Sequence, residues 1–125
     1  MEKITYNLDF LTKGGPYSHL VEAGGFIFIS GLLPFDSNTG IFIKDDIAKA
    51  TELVLTNMQR ALESVGSNLQ KVIKVTVFLS DPNGFNPMNN IYRLYFPDNP
   101  PARSCVIVKQ IPGDMPVEIE AIAIR

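Results

Sequence analysis

The sequence predicts an α+β fold in which a mixed β-sheet carries two helices on one face. Segments with strand-like alternation or continuous apolar runs outnumber the two segments that have a helical period. A strand-like segment separates the two helical ones, which is typical of helices that form one layer on a sheet. The 125 residues show no repeat, linker or low-complexity tract, so residues 1–125 are expected to form one domain.

A β-hairpin is predicted near the N-terminus, after a possible short first strand. Its strands, His19–Ala23 and Phe26–Ser30, flank the pair Gly24-Gly25, which can supply the positive φ of a tight turn. Gly31 ends the second strand. The residues from Pro34 to Gly40 are rich in turn formers and predict a loop.

The first helix is predicted from a capping residue, an apolar period and a terminating glycine. Asp45 or Asp46 is placed to cap the N-terminus. Gly66 is placed to end the helix just beyond its last turn. The apolar positions between them recur about every 3.6 residues, at Ile47, Ala50, Val54, Met58, Ala61, Leu62 and Val65.

The C-terminal half predicts a strand, a helix and two further strands. Leu69–Leu79 is a strand candidate that becomes apolar on both faces toward its end. Asn86-Pro87 is predicted to begin the second helix, with the asparagine as N-cap, and Pro97 to end it. The last two strands are predicted at Pro100–Val108 and Val117–Ile124.

The predicted sheet has more apolar surface than two helices can cover. Both helices lie on one face, yet the strands Val75–Leu79 and Val117–Ile124 carry apolar residues on both faces. The second face would be a larger hydrophobic patch than monomers usually expose. We therefore expect a homo-oligomer in which the sheets of different copies pack together.

Charged residues interrupt the apolar faces of the last two strands. Arg103 shares a strand face with Cys105, and Glu118 and Glu120 share one with Ile122. A charge in apolar surroundings is costly unless it meets an opposite charge. The pattern predicts either a buried ion pair or a pocket that binds an anion.

Composition and charge exclude several classes of function. The net charge is −2, without a cluster of Lys or Arg, which argues against an extended surface for binding the phosphate backbone of a nucleic acid. One Cys and one His exclude an intrachain disulfide and are too few for a zinc site of the usual ligand set, and neither metal nor cofactor is expected. No apolar run approaches the roughly 18–20 residues that cross a membrane. No signal peptide is recognisable, so a cytoplasmic location is expected.

Five segments between about Gly15 and the C-terminus occur in a recognisable combination and spacing, namely Gly15-Pro16-Tyr17-Ser18, Ile29-Ser30-Gly31, Val75–Leu79, Pro101–Val106 and Ile119–Ala123. With these segments the sequence resembles the RidA (YjgF, or L-PSP) family. The resemblance implies a chorismate-mutase-like (YjgF-like) α+β fold that forms a homotrimer around a central β-barrel, with clefts between subunits. It implies hydrolysis of 2-imino or enamine acids, of the 2-iminobutanoate and 2-iminopropanoate type, to 2-oxo acids and ammonia.

The resemblance also implies which side chains act on the substrate. Glu118 is expected to handle the water or a proton, with Tyr17 and Ser30 lining the cleft as further catalytic residues. A glutamate on an apolar face can have a raised pKa, which suits proton transfer near neutral pH. The simpler interpretations are a structural role for Glu118, a hydrophobic plug for Tyr17 and a turn-capping hydroxyl for Ser30.

Three further residues are implied to bind the substrate. Arg103 holds the carboxylate, which a guanidinium can bind through two parallel hydrogen bonds. Cys105 contributes its backbone N–H, and Asn89 lines the cleft. The simpler interpretations are an ion pair of Arg103 with Glu118 or Glu120 of another subunit, and a small buried hydrophobic residue for Cys105.

The chain departs from the family pattern at two positions that are commonly glutamine. Leu32 is one, and it is expected at the cleft rim, where it would affect substrate preference. His19 is the other, and it is expected at the surface or the rim.

Two other functions compete with the deaminase. One is a module that binds a small carboxylate, as a sensor or carrier, without turnover; fold and pocket would look the same. The other is an RNA-directed activity, endoribonuclease or translation inhibitor, which the acidic balance of charge disfavours.

Overall fold

Six of the eight strands form one mixed sheet, in the order β1-β2-β3-β8-β6-β7. Neighbouring strands are antiparallel except β6 and β7, which are parallel. The computed structural model describes all residues from Met1 to Arg125. The strands are β1 (Ile4–Tyr6), β2 (Leu20–Ala23), β3 (Phe26–Leu32), β4 (Phe35–Asp36), β5 (Ile41–Phe42), β6 (Val72–Leu79), β7 (Ala102–Ile107) and β8 (Val117–Ile124), and the helices are α1 (Ile47–Ser64) and α2 (Phe85–Tyr95).

The first helix forms where the sequence predicts it. Asp46 is the N-cap, and its Oδ1 accepts a hydrogen bond from the backbone N–H of Lys49 at 3.0 Å. Gly66 has a φ of +85°, which a residue with a side chain adopts only with strain. The capping residue and the terminating glycine are therefore both confirmed.

Three predicted strands have different ends in the structure. Strand β2 begins at Leu20 rather than His19, β3 continues through Gly31 to Leu32, and β7 covers only Ala102–Ile107.

Two further predicted boundaries are wrong. Leu69–Lys71 is a 3₁₀ turn, so strand β6 begins only at Val72. Helix α2 begins at Phe85, directly after a second 3₁₀ turn at Pro82–Gly84. Asn86-Pro87 therefore lies within the first turn of α2, where backbone N–H groups have no partner in the helix and proline is tolerated.

The small hairpin of β4 and β5 was not predicted. Strand β4 lies within the predicted loop Pro34–Gly40, and β5 follows directly after it. Phe35 of β4 is paired with Phe42 of β5. Strands of two residues are too short to show an alternating pattern.

Both helices pack on one face of the sheet, as predicted, and the hydrophobic core lies between them and the sheet. No helix is both long and apolar enough to cross a bilayer. The opposite face is uncovered in the single chain and carries large apolar side chains. Four of them are between 42% and 45% exposed, namely Phe26, Phe28, Val106 and Ile124.

Candidate active site

A cleft of about 730 Å³ opens on the uncovered side of the sheet, where β3 ends and β8 begins. Its walls include Tyr17, Ser30 and Glu118. The structure thus brings together the three residues that the sequence predicts to be catalytic. Glu120 and Lys13 are the other charged residues that line the cleft.

Glu118 is the group in this cleft that is suited to proton transfer. Burial raises the pKa of its carboxyl group, and the neighbouring negative charge of Glu120 raises it further. The side chain has no hydrogen-bond or ion-pair partner within the chain. Its carboxylate is free to bind a water molecule or a substrate.

Gly31 lets the Glu118 carboxylate lie directly against strand β3. A Cβ atom placed on Gly31 would be only 2.8 Å from Cδ of Glu118 and 3.1 Å from its Cγ. The backbone of Gly31 does not have the positive φ that excludes larger residues. The glycine is therefore required for the position of the carboxylate rather than for the conformation of the chain.

Replacing Gly31 with alanine is expected to displace the Glu118 carboxylate and lower the activity of the site by about 100-fold, since a shift of about 1 Å is enough for such a loss. Gly84→Ala is the matched control, because Gly84 lies outside the cleft and a Cβ on it comes no closer than 3.4 Å to any neighbouring atom. Thermal unfolding and turnover of both variants check the prediction. Equal turnover in the two variants would contradict it.

Ser30 is positioned by hydrogen bonds to the chain that precedes β2. Its hydroxyl donates to the carbonyl of Ser18 at 2.6 Å, and its N–H donates to the carbonyl of His19 at 3.0 Å. Because the hydroxyl proton is engaged, the oxygen faces the cleft as an acceptor. Ser30 can therefore accept a hydrogen bond from a water or an iminium nitrogen.

Tyr17 is not a buried plug, since 40% of it is exposed. Its hydroxyl oxygen accepts a hydrogen bond from the backbone N–H of Gly14 at 3.2 Å. The hydroxyl proton is left free to donate into the cleft.

Arg103 lies in a cradle made by helix α2. Its Nη1 donates to Oδ1 of Asn89 at 2.7 Å. The guanidinium carbon lies 4.7 Å from the ring centre of Tyr92 and 5.9 Å from that of Phe85, distances at which a cation is attracted to an aromatic face. Burial raises the pKa of Tyr92 to about 12, so this ring stays neutral beneath the cation. Nε and Nη2 have no partner in the chain and can hold a carboxylate bidentately.

Cys105 lies on the same side of the sheet as Arg103. Burial raises the pKa of its thiol, and the positive charge of Arg103 opposes this rise only in part. The thiol therefore stays protonated near neutral pH and is not an activated nucleophile. The side chain is only partly buried.

The six predicted residues fall into two groups on opposite faces of the sheet. Arg103 is paired in register with Val75, which is fully buried beneath the helices. Glu118 is paired with Phe78, one strand position along from the core-facing Val77. Since neighbouring strand positions face opposite ways, one chain cannot bring Arg103 and Glu118 to the same substrate.

Two predictions about individual residues are wrong. Leu32 is 4% exposed and lies in the core rather than at the cleft rim. Strand β3 is irregular between Ile29 and Leu32, and such a bulge turns the following side chain to the other face. His19, expected at the surface or rim, is only 3% exposed.

Comparison with known proteins links this architecture to one family of sequences. Residues 10–125 match the sequence model of the family described as Endoribonuclease L-PSP. A RutC family protein of Pyrococcus horikoshii is 48% identical over 111 residues, which cover 89% of this chain and 88% of that protein. Reactive Intermediate Deaminase A, chloroplastic, of Arabidopsis thaliana is 39% identical over 109 residues, which cover 87% of this chain and 58% of that protein.

Solved structures share the whole fold. A putative endoribonuclease of Thermotoga maritima has a TM-score of 0.92 at 41% identity, over 100% of this chain and 98% of that one. E. coli TdcF with bound serine has a TM-score of 0.89 at 35% identity, over 99% of both chains.

Proposed function

This chain belongs to the endoribonuclease L-PSP (RidA, YjgF) family, and we propose that it is an imine deaminase. Its substrates are small 2-imino or enamine acids of the 2-iminobutanoate and 2-iminopropanoate type, and its products are 2-oxo acids and ammonia. The observation that carries this proposal is the Glu118 carboxyl, partly buried and with a raised pKa, in a cleft shared with Tyr17 and Ser30.

The complete site is shared between copies of the chain. Glu118 lies on the uncovered face of the sheet and Arg103 on the helix side, so a second copy supplies the guanidinium. The exposed apolar face, with Phe28 45% exposed, gives such copies a surface to pack against. We propose a homotrimer whose uncovered sheet faces form a central barrel, with one site in each cleft between subunits.

Arg103 binds the substrate before any bond changes. The Nε–Nη2 edge of the guanidinium takes both oxygens of the substrate carboxylate, while Asn89 holds Nη1. The backbone N–H of Cys105 assists. The imine carbon then faces the Glu118 carboxylate of the neighbouring copy, with Tyr17 and Ser30 beside the water and the nitrogen.

Hydrolysis needs only a water molecule and proton transfers. Glu118 accepts a proton from the water while the water oxygen bonds to the iminium carbon, and the C=N π electrons move to the nitrogen. The protonated Glu118 then returns the proton to that nitrogen. The C–N bond breaks with release of ammonia, the hydroxyl oxygen forms the carbonyl, and its proton leaves to solvent.

A module that binds a small carboxylate without turnover is the second candidate. The structure of E. coli TdcF with bound serine shows a family member holding an amino acid, and the Arg103 cradle alone would suffice for binding. RNA hydrolysis is less favourable, because Glu118 and Glu120 make the cleft wall repel phosphates.

The name of the Arabidopsis relative gives a chloroplast location, so the cytoplasm stays a prediction for this chain.

A coupled assay tests the proposal. An amino-acid oxidase generates the 2-imino acid, semicarbazide traps it, and the protein competes by hydrolysing it. We expect the wild type to suppress semicarbazone formation with at least one small aliphatic amino acid. Binding of small carboxylates without any suppression would favour the binding module instead.

A further inference from the structure

We propose that His19 is a positioning residue for the site, holding the segment Leu8–Tyr17 in place through both nitrogens of its ring. This segment forms part of the cleft wall. The catalytic consequence of this role rests on the proposed deaminase function, whereas the structural consequence does not.

Both ring nitrogens of His19 are hydrogen-bonded in a buried site. The backbone N–H of Leu8 donates to Nδ1 at 2.8 Å, and Nε2 lies 3.0 Å from the carbonyl oxygen of Thr12. One nitrogen must accept and the other must donate, which corresponds to the neutral ring with its proton on Nε2. The ring thus joins two points of the segment that are four residues apart.

No other side chain outside the segment replaces these bonds. The remaining hydrogen bonds of Leu8–Tyr17 stay within the segment or reach the adjoining Asn7. Phe10 and Leu11 pack against the core, but the residues that follow Leu11 have no such anchor. Between Leu11 and Ser18, whose carbonyl accepts the Ser30 hydroxyl, the bond from His19 to Thr12 is therefore the hydrogen bond that ties the segment to the rest of the chain.

The part that depends on His19 is the part that faces the cleft. Thr12 and Gly14 line it, and the Gly14 N–H holds the hydroxyl of Tyr17. The rings of Tyr17 and His19 also meet edge to face, with centres 6.2 Å apart. A displaced Thr12 would therefore move the Tyr17 hydroxyl away from its place beside the substrate.

Glutamine and leucine at position 19 separate this role from simple packing. The side-chain amide of His19→Gln has an acceptor oxygen for Leu8 and an N–H donor for Thr12, whereas His19→Leu has neither. We expect His19→Leu to lower kcat/KM for imine hydrolysis by about 10- to 100-fold and to accelerate hydrogen exchange of the Leu8 amide. We expect His19→Gln to stay close to the wild type in both measurements.

Three results would overturn the proposal. One is a folded His19→Leu variant with wild-type kcat/KM and wild-type protection of the Leu8 amide. Another is a His19→Gln variant whose kcat/KM is as low as that of His19→Leu. If His19→Leu does not fold, a loss of 10-fold or more in the kcat/KM of His19→Gln is by itself enough to overturn the proposal. The third is rapid exchange of the Leu8 amide in the wild type. If the wild type hydrolyses no imine, the proposed function fails, and the exchange measurements still decide whether His19 holds the segment.

Discussion

Arg103→Ala is expected to lower kcat/KM for imine hydrolysis by about 100- to 1000-fold, the usual scale for removing one partner of a buried, hydrogen-bonded charge pair. The substrate carboxylate loses a bidentate partner that it has both before and during the reaction, so most of the loss is expected in KM. Initial rates over a range of imine concentrations measure this.

The control for Arg103, which lies on strand β7, is the exposed Arg93 of the adjacent helix α2. Arg93→Ala removes the same charge from the outer side of α2 and should leave kcat/KM unchanged. Both variants should elute with the wild type in size-exclusion chromatography. An Arg103→Ala variant that keeps wild-type turnover in its normal assembly would show that Arg103 does not bind the substrate.

Glu118→Gln is expected to lower kcat by about 100- to 10,000-fold, the usual contribution of a general acid–base residue. Glutamine has nearly the same shape and leaves substrate binding through Arg103 intact, so KM should change little. This division of effects is the opposite of that predicted for Arg103→Ala. A glutamine variant with wild-type kcat would reduce Glu118 to a structural role.

The pH dependence gives a second test of Glu118. A general base must be ionised, so kcat/KM falls as pH falls through the pKa of Glu118, and burial places this fall above the ordinary range of a glutamate. The charge of Glu120 raises that pKa further. Glu120→Gln should therefore move the fall to lower pH while activity at neutral pH persists. If the pH profile of Glu120→Gln is the same as that of the wild type, the pKa of another group determines the fall of kcat/KM at low pH.

The sequence predicts the layers and the faces of the strands because both depend on local periods. The alternation along Val117–Ile124 places Glu118 on one face with Glu120 and Ile122, and the alternation around Arg103 places it with Cys105. The cap at Asp46 and the glycine at the end of α1 are likewise local signals. The separation of Arg103 from Glu118 then follows from the pairing of both strands with β6, which no local pattern specifies.

The features that the sequence does not predict depend on contacts over long distances or on irregular backbone. Leu32 faces the core because β3 is irregular before it, and the sequence carries no clear mark of a bulge there. His19 is buried because two backbone groups of a loop without any period reach its ring. Gly31 is read as the end of a strand, whereas its main role is to give the Glu118 carboxylate space.

We propose that each active site takes Glu118 from one copy and Arg103 from another. Mixing Arg103→Ala and Glu118→Gln subunits tests it most directly, by refolding the two inactive variants together in equal amounts and measuring imine hydrolysis. In a closed ring of identical interfaces, about one quarter of the clefts then combine an intact Arg103 with an intact Glu118. We predict recovery of about one quarter of the wild-type activity. Activity no greater than the sum of the two variants measured alone, in subunits shown to have mixed, would contradict a shared site.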